Sequence, residues 1–455
     1  MLRTLFVLII AAAGLGATLL HGPFYALLSY LWIAYFRPDE WVWGGSVVSS
    51  LSLSFVTGLL LIGTTALSGP RLRFNMRIAV LGLFLVQTFI STLLSPHFDY
   101  AWPYWQDFAK VVLITWLLVA LVVDVKHLRA VILVIALSLG FEAAKQGWAQ
   151  LILNPGEANL NTLPSIGDNN SAAVAVLMLV PLLLALANTA SARWQRVGFR
   201  FMSIGVIYRA ITTYSRGGFV SALVLGVLYF QRSRHKVRTL AAMLVVVAVV
   251  VPVLPEAFWT RINTIAAPAQ ERDTSSEGRL HFWSVAIDMA NANPFSGIGH
   301  NAYKRAYNRY DSSHGQYGQN RAVHSLWFGV LAEHGYPGFV LFVANLMLAF
   351  LACRRVRRLG ARDAAFREIG QYATAIEISL VVCAVGGSFV IFQYVEILWH
   401  LIGLTIVLHV LTEQATAEAR EPQQASITPR VAGAFGMPLP VPGYVARSIA
   451  RPVEE

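Results

Sequence analysis

A chain of 455 residues that is 56% hydrophobic and 13% charged carries more apolar surface than one water-soluble core of ordinary proportions can bury, so lipid must act as part of its solvent. The apolar runs do not alternate with period two, which excludes a β-barrel. A formal net charge of +11 would suit nucleic acid, but the basic residues fall in short loops between apolar runs, and the charge reads as topology with no nucleic-acid partner.

In chain order, residues 4–36 hold two apolar stretches broken at His21-Gly22-Pro23, where glycine and proline should interrupt a helix. Two full crossings there would put the N-terminus outside, and one broken crossing keeps it inside; we expect the latter. Arg3 ahead of the run Leu5 to Leu20 gives it the look of a signal peptide, but nothing after it reads as soluble, so it is assigned to the membrane domain. Eleven further spans are expected at 47–67, 76–95, 106–123, 127–152, 170–188, 197–213, 216–231, 237–255, 324–352, 370–391 and 394–412. Basic clusters such as Arg71-Arg73-Arg77, Lys126-Arg129 and Arg354-Arg355-Arg357-Arg358 occupy alternate loops, as cytoplasmic loops require, and the intervening loops near 96–106 and 152–169 have no Lys or Arg.

The expected architecture is therefore an all-α polytopic membrane protein of about 12 transmembrane helices with both ends cytoplasmic. A membrane domain over 1–412 would contain a large outer loop, 256–323, as a lid or substrate platform, and 413–455 would be a mobile cytoplasmic tail. Cys353 and Cys383 form neither a CxxC motif nor a disulfide framework.

Ionisable groups near membrane depth are costly, so those at the outer ends of spans are the functional candidates. Tyr214-Ser215-Arg216-Gly217-Gly218 opens a span at its outer end. Free helix amides, glycines that admit an anion and a planar guanidinium would together suit a diphosphate, while an interfacial arginine reaching to headgroups explains Arg216 equally well. In the outer loop, Arg279 and Trp283 are four apart and share a helix face, and Pro294, Gly297 and Gly299 punctuate a tight turn. A surface helix with a structural turn accounts for these without chemistry.

His324-Ser325 opens the next span. The positive end of a helix would keep the ring neutral and able to accept a proton, although a histidine at an interface is more often structural. Asp168, before the span at 170–188, can cap that helix or bind sugar hydroxyls; Asn170, Tyr214 and Arg321 are the further substrate-binding candidates. Lys145, about two turns from the outer end of its span, either extends to the interface or reaches phosphates. His281, His300, His314 and His334 show no metal-ligand spacing.

Taken in order, Tyr-Ser-Arg-Gly-Gly before a span, Arg279 with Trp283, Asn293-Pro294-Phe295-Ser296-Gly297-Ile298-Gly299, and His324-Ser325 followed by Gly335 and Gly338 resemble the signatures of the O-antigen ligase and polymerase superfamily over roughly residues 165–345. The N-terminal region with Arg37-Pro38-Asp39-Glu40-Trp41 resembles a subgroup of O-glycosylation ligases associated with exosortase systems. The resemblance implies a C-type glycosyltransferase-like (GT-C) fold in a Gram-negative inner membrane with its active site facing the periplasm.

It also implies metal-independent, inverting transfer of a glycan from undecaprenyl diphosphate to the lipid A-core oligosaccharide, with no cofactor. Carried over by residue, Arg216 and Arg279, with Lys145 as a further candidate, would bind the diphosphate, and His324 would activate or orient the acceptor hydroxyl. The same motifs would serve an O-antigen polymerase or a protein O-glycosyl ligase. A flippase is a rival of another class, disfavoured by the absence of an inverted repeat, and a metal-dependent transferase using Asp39 and Glu40 is a further one.

Overall fold

The computed structural model describes residues 2–42, 52–69, 75–159, 163, 166–233, 235–253, 256, 259 and 274–425. Two compact units are separated at Thr412. The first is a helical bundle; in the second, Glu413–Glu455, a helix that began at Glu396 continues to Ala425, and the rest of the expected tail lies outside the described residues.

The helices are α1 Leu2–His21, α2 Pro23–Phe36, α3 Leu53–Ser68, α4 Met76–Leu93, α5 Phe98–Leu121, α6 Val125–Leu153, α7 Asn169–Thr189, α8 Arg193–Ile211, α9 Arg216–Arg232, α10 Lys236–Val250, α11 Thr274–Ala292, α12 Tyr303–Tyr310, α13 Leu326–Arg362, α14 Arg367–Gly386 and α15 Glu396–Ala425. Among the described residues eight helices are long and apolar enough to cross a membrane: α1, α4, α5, α6, α7, α13, α14 with the turn before it, and the first part of α15. The expected twelve crossings are not all met on those terms. Helices α2 and α3 are apolar but shorter, and α8 carries Arg193, Arg196, Arg200 and Arg209 along its length, which keeps its mean hydropathy low.

Helix α7 is the centre of the bundle. It is buried without interruption from Ser171 to Leu183, as expected of a helix apolar on every side, and α6, α8, α9 and α14 pack around it. In the same core Trp399 of α15 is fully buried and meets Phe84 of α4, Phe108 of α5 and Phe342 of α13 at ring separations of 5.1, 5.2 and 6.0 Å. By contrast α3 and the outer faces of α1 and α4 expose leucines, isoleucines and valines, which is the surface a lipid solvent favours.

The N-terminal stretch departs from expectation. Gly22, with φ 92°, breaks the helix, but the halves then fold back on each other, so that a side chain at Gly14 would collide with Ser29. At the turn Phe24 packs on His127 with ring centres 4.0 Å apart. At the far end the Arg3 guanidinium lies 4.9 Å from the Trp41 ring and donates to the Trp41 carbonyl at 3.2 Å. A single broken crossing is therefore replaced by an antiparallel hairpin, and the N-terminus lies at the end of the bundle opposite Lys126 and Arg129. The reason is that glycine adopts a positive φ at no steric cost and can reverse the chain, whereas a proline kink alone would only bend it.

Helix α13 explains the glycine-rich turn ahead of it. Pro337 has no amide to offer the Glu333 carbonyl, and Gly335 takes the non-helical φ 64°, ψ −170°, so two carbonyls lose their helical partners. The upstream turn supplies replacements. Ile298 N–H donates to Ala332 O at 3.0 Å, Gly299 N–H to Glu333 O at 3.1 Å, and Tyr336 N–H to Pro294 O at 2.9 Å. A Cβ at Gly297 would stand 2.4 Å from the Glu333 carbonyl, and one at Gly335 2.4 Å from the Pro294 oxygen. The turn and the kink are thus one joint, pinned to the bundle by Gln87, whose side-chain amide donates to Phe295 O at 2.6 Å, and by Ser95, which donates to Ile298 O at 2.6 Å.

Candidate functional site

The joint fixes a small helical unit built on α11 and α12, with its own core of Phe282, Val285, Met289, Ile298, Tyr303 and Tyr307. Trp283 on α11 stacks on Phe328 at 5.1 Å and donates to the Val323 carbonyl at 3.2 Å. It therefore holds the residue directly before His324. Arg279 lies one turn earlier on the same face of α11.

His324 itself adopts a left-handed backbone, φ 46°, which a non-glycine residue holds only when its surroundings impose it. Its ring is pushed below its ordinary pKa, first by burial and then by Arg279; Arg321 acts in the same direction, while Asp168 opposes them. Four of the sequence candidates, His324, Arg279, Arg321 and Asp168, are therefore electrostatic neighbours. The Arg321 guanidinium also lies 5.5 Å from the Phe282 ring, and that ring 6.5 Å from His324.

Asp168 is the N-cap of α7. Its carboxylate accepts from the backbone of Asn170 at 2.8 Å and of Ser171 at 3.1 Å, and from the Ser171 hydroxyl at 2.5 Å. Capping, the first of the two roles expected for it, is thus present, and its charge also reaches His324. Asn170 stands in the first turn of that helix.

Arg216 is the first residue of α9. Its helix start is joined to the His324 segment through the loop after α14: Gly217 backs onto Phe389, whose Cβ lies 3.0 Å from where a Gly217 Cβ would be, and Leu326 N–H donates to Gly387 O at 2.7 Å. Here the structure corrects the sequence reading. Gly217 and Gly218 are buried, a Cβ at Gly218 would meet Ala173 at 2.7 Å, and the Gly218 amide is taken by Ser215 Oγ at 3.1 Å. The two glycines let α9 approach α7 and the 386–389 segment, and they do not form an open cradle for an anion. Tyr214, also left-handed at φ 54°, donates its hydroxyl to the Gly156 carbonyl.

Lys145 is not among the charges that act on His324. It pairs with Glu142 at 2.7 Å and borders a polar recess with Arg3, Gln146 and Asn159. Sequence reasoning missed Arg209, fully buried in the last turn of α8, whose Nε donates to Gln146 Oε1 at 2.8 Å. Of the four arginines of α8, Arg209 alone follows the apolar stretch 201–208, and that was the signal available for it.

Two of the spare histidines have polar partners in the structure. His281 meets Asp311 at 2.6 Å. Although burial alone would raise it, Asp311 is held well below the carboxylate range by hydrogen bonds from Ser313, His281 and the Gly315 amide. His334 Nε2 meets the Tyr394 hydroxyl at 2.7 Å, and that hydroxyl also donates to Glu333, tying α13 to the loop before α15. Among the described residues no group of three His, Cys, Asp or Glu side chains gathers as a metal ion would require.

Residues 201–343 match the family model described as O-antigen ligase. That stretch contains Arg216, Arg279, Arg321, His324 and the whole joint between the 294–299 turn and Gly335. Residues 1–191, including the α1–α2 hairpin, Lys145 and Asp168, match a family of unknown function. No curated protein matches the chain. Similarity to the O-antigen ligases is thus established for the segment that carries the candidate site, within an all-helical, multi-span membrane architecture.

Proposed function

We propose that the protein is an inverting, metal-independent glycan ligase of the inner membrane, transferring a glycan from undecaprenyl diphosphate to the lipid A-core oligosaccharide at the periplasmic face. The observation that carries this reading is the convergence of Arg279 and Arg321, with Asp168 from the preceding stretch, on a half-buried His324; His324, both arginines and Arg216 at the start of α9 lie inside the segment similar to O-antigen ligases.

The chemistry follows from those groups. The acceptor hydroxyl oxygen attacks the anomeric carbon from the face opposite the diphosphate, and the bond from that carbon to the phosphate oxygen breaks with its electron pair. Two guanidiniums, from Arg216 and Arg279, stabilise the negative charge that develops on the leaving diphosphate. A ring depressed by burial and by Arg279 is neutral at physiological pH, so the His324 imidazole accepts the hydroxyl proton. Held by Trp283 through Val323 and by its own constrained backbone, His324 loses little freedom on reaching that geometry.

Purified protein supplied with lipid-linked glycan and lipid A-core, without a membrane gradient, should produce the joined product and release undecaprenyl diphosphate. Extension of the donor glycan on itself, with the core untouched, would identify a polymerase instead. Transfer to protein alone would identify a protein O-glycosyl ligase.

A further inference from the structure

Close to the candidate site lies a cavity of about 520 Å3, within the range of small-ligand pockets, whose walls include Arg37, Tyr104, Asp107, Lys110, Asn301 and Glu396. Two landmarks place it. Asn301 belongs to the segment just beyond the 294–299 turn, and Ile166 on its wall is two residues from Asp168, whose charge reaches His324. Apart from His300 and Asn301, its lining comes from outside residues 201–343, and most of it from the stretch similar to a family of unknown function.

Its charges are balanced. Lys110 pairs with Asp107 at 2.9 Å, and Arg37 approaches Glu40 at 4.0 Å. Glu396, the first residue of α15, faces Arg37 and Asp107 electrostatically, yet among the described residues no hydrogen bond reaches its carboxylate. The hydroxyls of two further wall residues are already used, Tyr35 on His400 at 2.6 Å and Tyr394 on Glu333, which leaves their rings as apolar wall.

These features select against two ligand classes. A phosphate would meet the carboxylates of Asp107 and Glu396, and an acyl chain would lie against the charged side chains of Arg37 and Glu396 with nothing to offer them. A neutral polyhydroxylated ligand suits the whole: carboxylate, amide and guanidinium groups take hydroxyls, and tyrosine faces take the C–H edges of a sugar ring.

We propose that this cavity seats the saccharide of the acceptor, with Glu396 accepting a hydrogen bond from one of its hydroxyls. The inference rests on the glycan-transfer reading and deepens it, because it assigns acceptor recognition to the N-terminal region and α15, and donor chemistry to the segment around His324. A single carboxylate that lines the cavity without a protein partner is the group a sugar hydroxyl would complete.

The test uses the full chain in detergent, with undecaprenyl-diphosphate glycan as donor and lipid A-core as acceptor, and measures each KM separately. Glu396→Gln should raise the acceptor KM about tenfold, as expected when the group that accepts a buried hydrogen bond from a sugar hydroxyl is replaced by an amide, and leave the donor KM unchanged. Asp107→Asn, at an exposed position on the same wall, should raise the acceptor KM less and serves if Glu396→Gln fails to fold. Soluble core oligosaccharide, titrated without donor, should bind the parent protein and bind Glu396→Gln more weakly. An unchanged acceptor KM in both variants, or a raised donor KM instead, overturns the proposal. If the parent protein transfers nothing, the glycan-transfer reading fails by itself, and the absence of oligosaccharide binding would then refute the cavity assignment as well.

Discussion

Around His324 the chain gathers cations, Arg279 and Arg321 against the single carboxylate of Asp168, whereas the cavity at Glu396 sets two cations against two anions. Both regions are assembled from residues far apart in sequence, and both touch the segment around the 294–301 turn. Their charge balance differs because their tasks differ in the reaction we propose. A leaving diphosphate accumulates negative charge and calls for unbalanced cations; a saccharide remains neutral throughout and calls for paired groups that do not repel it.

The comparison breaks first at His324, where the largest loss is expected. His324→Ala should retain donor binding and lose transfer by roughly a hundredfold to ten-thousandfold, the usual worth of a positioned proton acceptor. His324→Gln separates roles, since an amide can hold a hydroxyl but cannot take its proton at neutral pH. Transfer rates near those of the parent protein in the Gln variant would make His324 an orienting group. Next in size is Arg216→Lys, which keeps the charge but not the bidentate fork. It should cost about 2–4 kcal/mol of transition-state stabilisation, on the order of a hundredfold or more in rate, and near-normal turnover would reduce Arg216 to a general electrostatic role.

How far the sequence foretold these regions depends on what kind of fact was needed. Periodicity and length were enough for α7, which is apolar on all sides, whereas the α13 run reads as one span over 324–352 although Pro337 lies within it. What Pro337 could not announce was that the freed Glu333 carbonyl would be met by Gly299, far upstream. Gly217-Gly218 reads equally as an anion cradle and as a close-packing surface, and only the presence of Ala173 and Phe389 decides between them.

Arg279 and His324 could be named as candidates because each belongs to a local pattern. Asp107 and Glu396 belong to none, and Arg37 reads in the sequence only as part of Arg37-Pro38-Asp39-Glu40-Trp41. They become a site only when α2, α5 and α15 come together, and no local signal in a single sequence records that meeting.

The cationic character of the first region has its own titration signature. Because burial, Arg279 and Arg321 depress His324 while Asp168 opposes them, the neutral ring persists further into acid than a free imidazole, and transfer should fall only as pH drops through that lowered pKa. Arg279→Gln removes a depressing charge, so the acid limb of kcat/KM should move to higher pH; Arg321→Gln should move it the same way by less. Asp168→Asn removes the opposing charge and should move the limb to lower pH, with the cap of α7 retained because asparagine is also a good N-cap. Rate–pH profiles of the three variants check the signs, and three identical limbs would detach the profile from His324.

The smallest effect is expected at Lys145, and it sharpens where the cationic region ends. Lys145 resembles Arg216 in charge and in lying toward the outer side, although it stands about two turns inside its span where Arg216 opens one, and for that reason sequence alone groups them. In the structure it is half-exposed, paired with Glu142 at 2.7 Å, and borders a recess shared with Arg3; none of the contacts recorded for His324 involves it. An ion pair with that much exposure contributes little to stability or to a field at a distance, about 0.2–1 kcal/mol. Lys145→Ala should therefore lower transfer less than about fivefold, with the donor KM nearly unchanged. A hundredfold loss confined to the donor KM would extend the diphosphate site across α6 to the N-terminal hairpin. Charge-reversed Glu142→Lys with Lys145→Glu distinguishes the two outcomes further, since it preserves a local pair and would restore activity only if the pair, and not the lysine itself, is what matters.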